Sequence, residues 1–166
     1  MKHYESLNHL FDPIYNSNSK ILILGTFPSF KSRENAFYYG HPRNRFWKLL
    51  SLITDEATPN TIEEKKELLL RNSIAIWDVI QSCDIAGSSD SSIKNVIPTD
   101  LTPILQTAEI QQIYGNGRKA HLLYYQYAYP YLGKEMIVLP STSPANAGYS
   151  IEKLETKWRQ IKKFIT

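Results

Sequence analysis

Four short apolar runs punctuate this chain, and each is closed by a signal that ends a strand. Residues 20–24 carry Ile21-Leu22-Ile23-Leu24 and stop at Gly25. Residues 73–80 are apolar and β-branched, residues 111–114 stop at Gly115-Asn116-Gly117, and residues 135–139 stop at Pro140. Runs of this length between turn signals predict strands buried on both faces. Between them the period lengthens to that of a helix. Residues 44–53 put Trp47, Leu50 and either Phe46 or Ile53 on one side, with a start near Pro42. Thr61-Ile62-Glu63-Glu64 forms a capping box that opens a helix to Arg71. Residues 118–132 read as a helix disturbed by Pro130. Ser150 caps a last helix in which Ile151, Leu154, Trp158 and Ile161 recur at three- and four-residue steps.

Strands alternating with helices predict an α/β three-layer sandwich: a largely parallel four-stranded central sheet flanked by helices, in one domain over residues 1–166. Such sheets bind ligands beyond the carboxyl ends of their strands. Residues 25–29 leave the first strand, Asp78 lies at the end of the second, and Ser141 follows the fourth. Three polar segments, distant in sequence, are therefore expected to converge at one edge.

Composition narrows the class. At 166 residues with 42% apolar content, the chain has enough material for a core. Its longest aliphatic run is too short to span a bilayer, and residues 1–5 lack the apolar stretch of a secretion signal. Cys83 stands alone, which rules out an intrachain disulfide and fits a reducing compartment. A cytoplasmic protein with no membrane partner, acting as a monomer, is the expectation. The net charge of +3 is unevenly spread: residues 31–48 carry +4, residues 55–67 carry −3 and residues 151–166 carry +3. Positive charge so placed suits a polyanion bound on one face, although solvated charge is often uneven without a partner. His3, His9, His41 and His121 show no metal-ligand spacing with Cys83, and no cofactor motif is visible. Tyr124, Tyr125, Tyr127, Tyr129 and Tyr131 read as packing of a helix on the sheet rather than as base-stacking platforms.

The candidate chemistry lies in residues 36–47, Ala-Phe-Tyr-Tyr-Gly-His-Pro-Arg-Asn-Arg-Phe-Trp. Aromatic platforms, arginines and one short amide in a broken, polar segment suit a pocket that stacks a base and grips phosphate. Together with Gly25-Thr26-Phe27-Pro28-Ser29 and Ser141-Thr142-Ser143-Pro144-Ala145-Asn146, these residues resemble the uracil-DNA glycosylase superfamily, from Ile21 to the final helix. Within it the chain is most similar to the hypoxanthine-DNA, or deoxyinosine-DNA, glycosylase branch, to which Trp77-Asp78 and the Gly87-Ser88-Ser89-Asp90-Ser91 run are also similar.

The resemblance implies a monofunctional glycosylase without metal or cofactor, acting on DNA that contains a damaged base. Hypoxanthine is the favoured base and uracil a weaker option. By residue match the catalytic group is Asn44, whose carbonyl oxygen could hold a water while its amide donates elsewhere. Gly25, Thr26, Phe27, Tyr39 and Asp78 are implied to bind the base, Tyr39 by stacking and Asp78 by accepting the N1–H of hypoxanthine. Arg43, Arg45, Ser141, Ser143, Pro144, Ala145 and Asn146 are implied to meet DNA, the last five in a loop that enters the minor groove. The chain departs from the superfamily at Phe27, where other members often carry a polar group that activates water, and at Ser29, which replaces a Gly. Plainer roles stay open beside these. Asn44 is also a fitting helix cap, Tyr39 an ordinary core tyrosine, Asp78 a structural carboxylate bonded to loop N–H groups, and residues 141–147 a plain Ser/Pro loop. Two other functions stay open as well: a lesion binder without catalysis, and an enzyme acting on free nucleosides.

Overall fold

The computed structural model describes residues 3–28, 37–86 and 90–165. Ser29, Lys31, Arg33 and Ala36, and the Gly87-Ser88-Ser89 part of the second resemblance, lie outside them. In chain order the elements are β1 (Glu5–Asn8), β2 (Ile21–Gly25), α1 (Phe46–Thr54), α2 (Ile62–Arg71), β3 (Ile74–Asp78), β4 (Ile80–Ile85), β5 (Lys94–Pro98), α3 (Thr102–Thr107), β6 (Gln112–Asn116), α4 (Arg118–Tyr127), α5 (Tyr129–Leu132), β7 (Met136–Leu139) and α6 (Ile151–Trp158). Strands β3-β2-β6-β7 form one sheet in that order, and all of its pairings are parallel.

The alternation of side chains along β2 makes the three layers. Ile21 and Ile23 point into a cluster with Phe46, Leu50, Leu154 and Trp158, so α1 and α6 cover that face. Leu22 and Leu24 point the other way, to Ile104, Leu123 and Tyr124 of α3 and α4. A strand with helices on both sides has no polar face to show, which is why its sequence is a continuous apolar run. The expected sandwich is the observed one.

Three elements differ from the expected pattern. The run 73–80 is two strands, because the chain leaves the parallel sheet at Asp78 and enters a second, antiparallel sheet of order β1-β4-β5. That sheet went unread because its strands are short and polar, and β4 pairs with β5 through register shifts that scramble the two-residue period. The helix over 118–132 breaks at Ala128, so that Pro130 falls in the first turn of α5, where its missing N–H costs nothing. The helix expected from residue 44 begins at Phe46, leaving Asn44 in the turn ahead of it. The caps at Thr61 and Ser150 form as expected, accepting from the N–H groups of Glu64 and Lys153.

The tyrosines of α4 act as braces. Tyr124 donates to the carbonyl of Lys134, and the Tyr125 hydroxyl exchanges hydrogen bonds with the backbone of Met136, fastening the helix to β7. No helix among the described residues is long and apolar enough to cross a membrane.

Candidate active site

The carboxyl ends of the four parallel strands bring the polar segments together. Gly25 pairs with Asp78, Leu24 with Gly115, and Asn116 with Leu139, so β2, β3, β6 and β7 end side by side. The turn after β2 is fastened to the end of β3: Val79 N–H donates to the Gly25 carbonyl and Ile80 N–H to that of Thr26. Gly117, with φ +97°, starts α4 beside the loop that follows β7; a Cβ on it would lie 3.2 Å from Ser141 Cβ. Only glycine combines that dihedral with that approach.

Asn44 sits, half-buried, at the outer end of a polar chain centred on Thr142. Its Oδ1 accepts from Phe46 N–H at 3.0 Å and from Thr142 Oγ1 at 2.8 Å. Thr142, fully buried, in turn accepts at Oγ1 from Asn116 Nδ2, and its N–H donates to Asn116 Oδ1, both at 3.0 Å. The two backbone donors fix which end of each amide is which. Both lone pairs of the Asn44 carbonyl are thereby engaged, and its NH2 is the half left without a partner among the described residues. This reverses the expected division of labour, in which the carbonyl held water and the amide served elsewhere. Asn44 is not the N-cap of α1, which is Arg45; its bond from Phe46 N–H closes a turn ahead of the helix, so a structural duty and a site position coexist in one residue.

Arg45 departs from its expected part. Its guanidinium donates to the carbonyls of Ser143 at 2.8 Å, Asn146 at 3.1 Å, Thr142 at 3.4 Å and Tyr149, and its own N–H donates to Thr142 O. With its donors spent on four loop carbonyls, the guanidinium is the staple that shapes residues 142–149. Asn146 likewise turns inward, donating from Nδ2 to the Ser141 carbonyl at 3.0 Å. Ser141 Oγ accepts from Ser143 N–H, and Ser143 Oγ from Ala145 N–H, so both hydroxyls build the turn. Pro144 is half-buried, and Ala145 is exposed at the tip. Arg43 is exposed, and no partner for its guanidinium occurs among the described residues; of the two arginines it is the one free to meet an anion.

Tyr39 forms a shelf. Its ring stacks on Phe46 with centroids 4.0 Å apart and planes 21° from parallel. Its backbone, with φ 53°, occupies the left-handed region that non-glycine residues seldom visit. The phenol oxygen is buried and, with the Asn116 amide close by, meets no partner in hydrogen-bond geometry among the described residues. Burial, and then the charge of Asp78, push this phenol well above the ordinary tyrosine value, with the nearby Asn116 amide pulling the other way. It is therefore a neutral O–H at any ordinary pH.

Asp78 is 4% exposed, and its Oδ2 lies 2.8 Å from His9 Nε2. Its backbone carbonyl accepts from the Thr99 hydroxyl, which anchors the end of β3. A Cβ on Gly25 would collide with Asp78 Oδ1 and come within 3.0 Å of Tyr39 Oη. Glycine at 25 thus lets a carboxylate oxygen and a phenol converge against the end of β2. Phe27 is half-buried and packs edge-on to His9, centroids 5.9 Å apart. No group of metal-binding side chains occurs among the described residues.

Of the residues expected from sequence, Gly25, Thr26, Phe27, Tyr39, Asn44, Asp78 and Ser141 stand at this one edge. Three others that shape it went unread: His9, Asn116 and Thr142. Asn116 could have been found as the last residue of a parallel strand. Thr142 lies inside a segment already singled out. His9 carries no local signal, since only the second sheet brings it here.

The parallel strands of this α/β sandwich end in an amide chain, a stacked aromatic pair and a buried carboxylate, the place where open α/β sheets bind their ligands. The sequence profile of the uracil DNA glycosylase superfamily matches residues 13–164, and the chain belongs to that superfamily. It is 35% identical over 153 residues to a protein of Methanosarcina acetivorans named hypoxanthine DNA glycosylase, covering 91% of this chain and 95% of that one. A protein of the same name from Methanosarcina barkeri is 32% identical over 152 residues, covering 90% and 94%. A solution NMR structure from Methanosarcina acetivorans, named for uracil DNA glycosylase, superposes with a TM-score of 0.80 at 33% identity, covering 94% of this chain and 96% of that one.

Proposed function

We propose that this protein is a monofunctional DNA glycosylase that removes a deaminated base, hypoxanthine before uracil, and leaves an abasic site. The carrying observation is the polar chain Asn116–Thr142–Asn44 standing beside Asp78 at one strand edge. Such a chain fixes one short amide while its donor half meets no partner among the described residues, as a preorganised catalytic group requires.

In this reading the target nucleotide leaves the duplex and its base stacks on Tyr39. The end of β2 at Gly25 faces the Watson–Crick edge. Asp78 Oδ1 accepts N1–H of hypoxanthine or N3–H of uracil; adenine and cytosine present bare nitrogens at those places and are repelled by a carboxylate. The bond from C1′ to the base breaks with its electron pair going to the base, and the sugar becomes oxocarbenium-like. Water held by the Asn44 NH2 adds its oxygen to C1′, and the proton it sheds balances the charge on the departing base. Arg43 meets phosphate, and residues 143–145 approach the minor groove. The enzyme acts as a monomer in the cytoplasm, at the nucleoid.

The test is a duplex with one deoxyinosine, assayed for abasic sites beside a uracil duplex and free inosine. Abasic sites in the deoxyinosine duplex, with free inosine intact, are the expected result. Phe27 favours one second reading, because its packing on His9 removes the usual water-activating group: a lesion binder without catalysis. Tight binding of the deoxyinosine duplex with no base release would select it.

A further inference from the structure

The buried carboxylate of Asp78 has His9 as its side-chain partner, and the surroundings of His9 define how that partner acts. His9 Nδ1 accepts from Phe11 N–H at 3.1 Å, so in the neutral ring the proton sits on Nε2, which donates to Asp78 Oδ2. The ring is walled by Phe11, Phe27 and Trp77, all edge-on, with Tyr38 tilted beside it. These walls hold it in one orientation and shield the pair from water. The backbone is held too, His9 N–H donating to Gln81 O at 2.7 Å, where β1 joins β4. With Oδ2 taken, Asp78 is turned so that Oδ1 lies against Gly25, on the side of Tyr39 Oη.

We propose that His9 is a positioning and specificity-determining residue: it orients Asp78 so that Oδ1 alone is presented to the N–H of the flipped base. This rests on the reading of Asp78 as the base reader. It gives the antiparallel sheet a task, since β1 delivers His9 to the end of β3. It also gives Phe27 one, as a wall of the His9 pocket. A buried carboxylate held by a fixed donor keeps its remaining lone pairs aimed, and in a dry site that aim counts for more than in water.

The experiment uses His9→Leu, which fills the pocket without a donor, and His9→Gln, whose amide N–H reaches towards the place of Nε2. Base release from the deoxyinosine duplex is measured at saturating enzyme, with thermal melts and the affinity for undamaged duplex alongside. His9→Leu is expected to lower the saturating rate about tenfold or more, and to add little to Asp78→Asn in the double variant, as residues acting as one unit do. His9→Gln is expected to recover most of the rate, and affinity for undamaged duplex is expected to hold in all variants. A purely structural His9 would shift the melt without rescue by Gln. A folded His9→Leu variant releasing base at the parental rate, or a double variant losing the product of both effects, overturns the proposal. Asp78→Asn at the parental rate instead removes the base-reading role of Asp78 itself, which separates the two failures. Should the Leu variant not fold, the 15N spectrum of the unaltered protein decides. The Nε2–H tautomer, with a resonance that moves on binding the deoxyinosine duplex, is expected; an Nδ1–H tautomer or an unmoved resonance overturns the proposal.

Discussion

At the residue scale, Asn44 carries two duties that one substitution removes together. Its carbonyl accepts from Phe46 N–H and Thr142 Oγ1, and its NH2 meets no partner among the described residues. Asn44→Ala is expected to slow base release in single-turnover kinetics by about 100-fold or more, the scale of one lost preorganised group. It should also cost about 1–3 kcal/mol in the melt, because the Phe46 N–H and the buried Thr142 hydroxyl lose their acceptor. Affinity for undamaged duplex is expected to stay, because Asn44 neutralises no phosphate. A folded variant with the parental rate would move the chemistry elsewhere. Thr142→Val separates the duties, keeping the shape and the Phe46 N–H bond to Asn44 while removing the hydroxyl that joins Asn44 to Asn116. It leaves buried polar groups without partners, a loss of about 1–3 kcal/mol, and slower base release is expected with it. Calorimetry beside the same kinetics checks both.

At the element scale, the loop after β7 owes its form to an arginine from another part of the chain. Arg45→Lys keeps the charge but offers three donors on a point rather than a planar fork against several carbonyls. The expected outcome is a loosened loop: faster amide exchange over residues 142–149, a lower melting temperature and slower base release, with DNA affinity at low salt little changed. A phosphate-gripping Arg45 would show the opposite, sparing the melt and weakening DNA binding. A second clasp joins the turn after α1 to the end of α2. The Glu56 carboxylate accepts from Arg71 and from Asn72 Nδ2. The Arg71 hydrogen bond is the main reason its carboxyl titrates below the usual value of 4.5. A folded pKa below the unfolded one means stability that is present above about pH 4.5 and lost as pH falls through the folded value. Because Arg71 is largely exposed, the clasp contributes less than about 1 kcal/mol. Glu56→Gln should remove that much near pH 7 and little at pH 3, as melts at the two pH values would show.

At the scale of the whole molecule, affinity for DNA is expected to be electrostatic and carried by exposed cations, with Arg43 nearest the site. Each neutralised phosphate contributes a slope of about −0.9 in log affinity against log salt. Arg43→Ala should therefore flatten that slope by about one, alike on damaged and undamaged duplex, leaving the melt unchanged. An unaltered slope would show that Arg43 faces no phosphate.

The sequence by itself determined what repeats or lies close along the chain. The four parallel strands, the caps at Thr61 and Ser150 and the apolar stripe of α6 follow from a period of two or 3.6 residues and from turn chemistry a few positions away. Because parallel strands present ligands at their carboxyl ends, the convergence of Gly25, Asp78 and Ser141 was legible too. Tertiary structure alone decided what each polar group has left to offer. Arg43 and Arg45 are alike in sequence, and only the folded loop consumes one and frees the other. Asn44 is one short amide in a turn until Thr142 and Asn116, brought from two other strand ends, engage its carbonyl. His9 is an isolated histidine until a short antiparallel sheet with no clean period carries it to Asp78, 69 positions away. Hydrogen bonds of this kind depend on position in space and leave no period in the chain, so the partners of a polar side chain are settled only when the strands are packed.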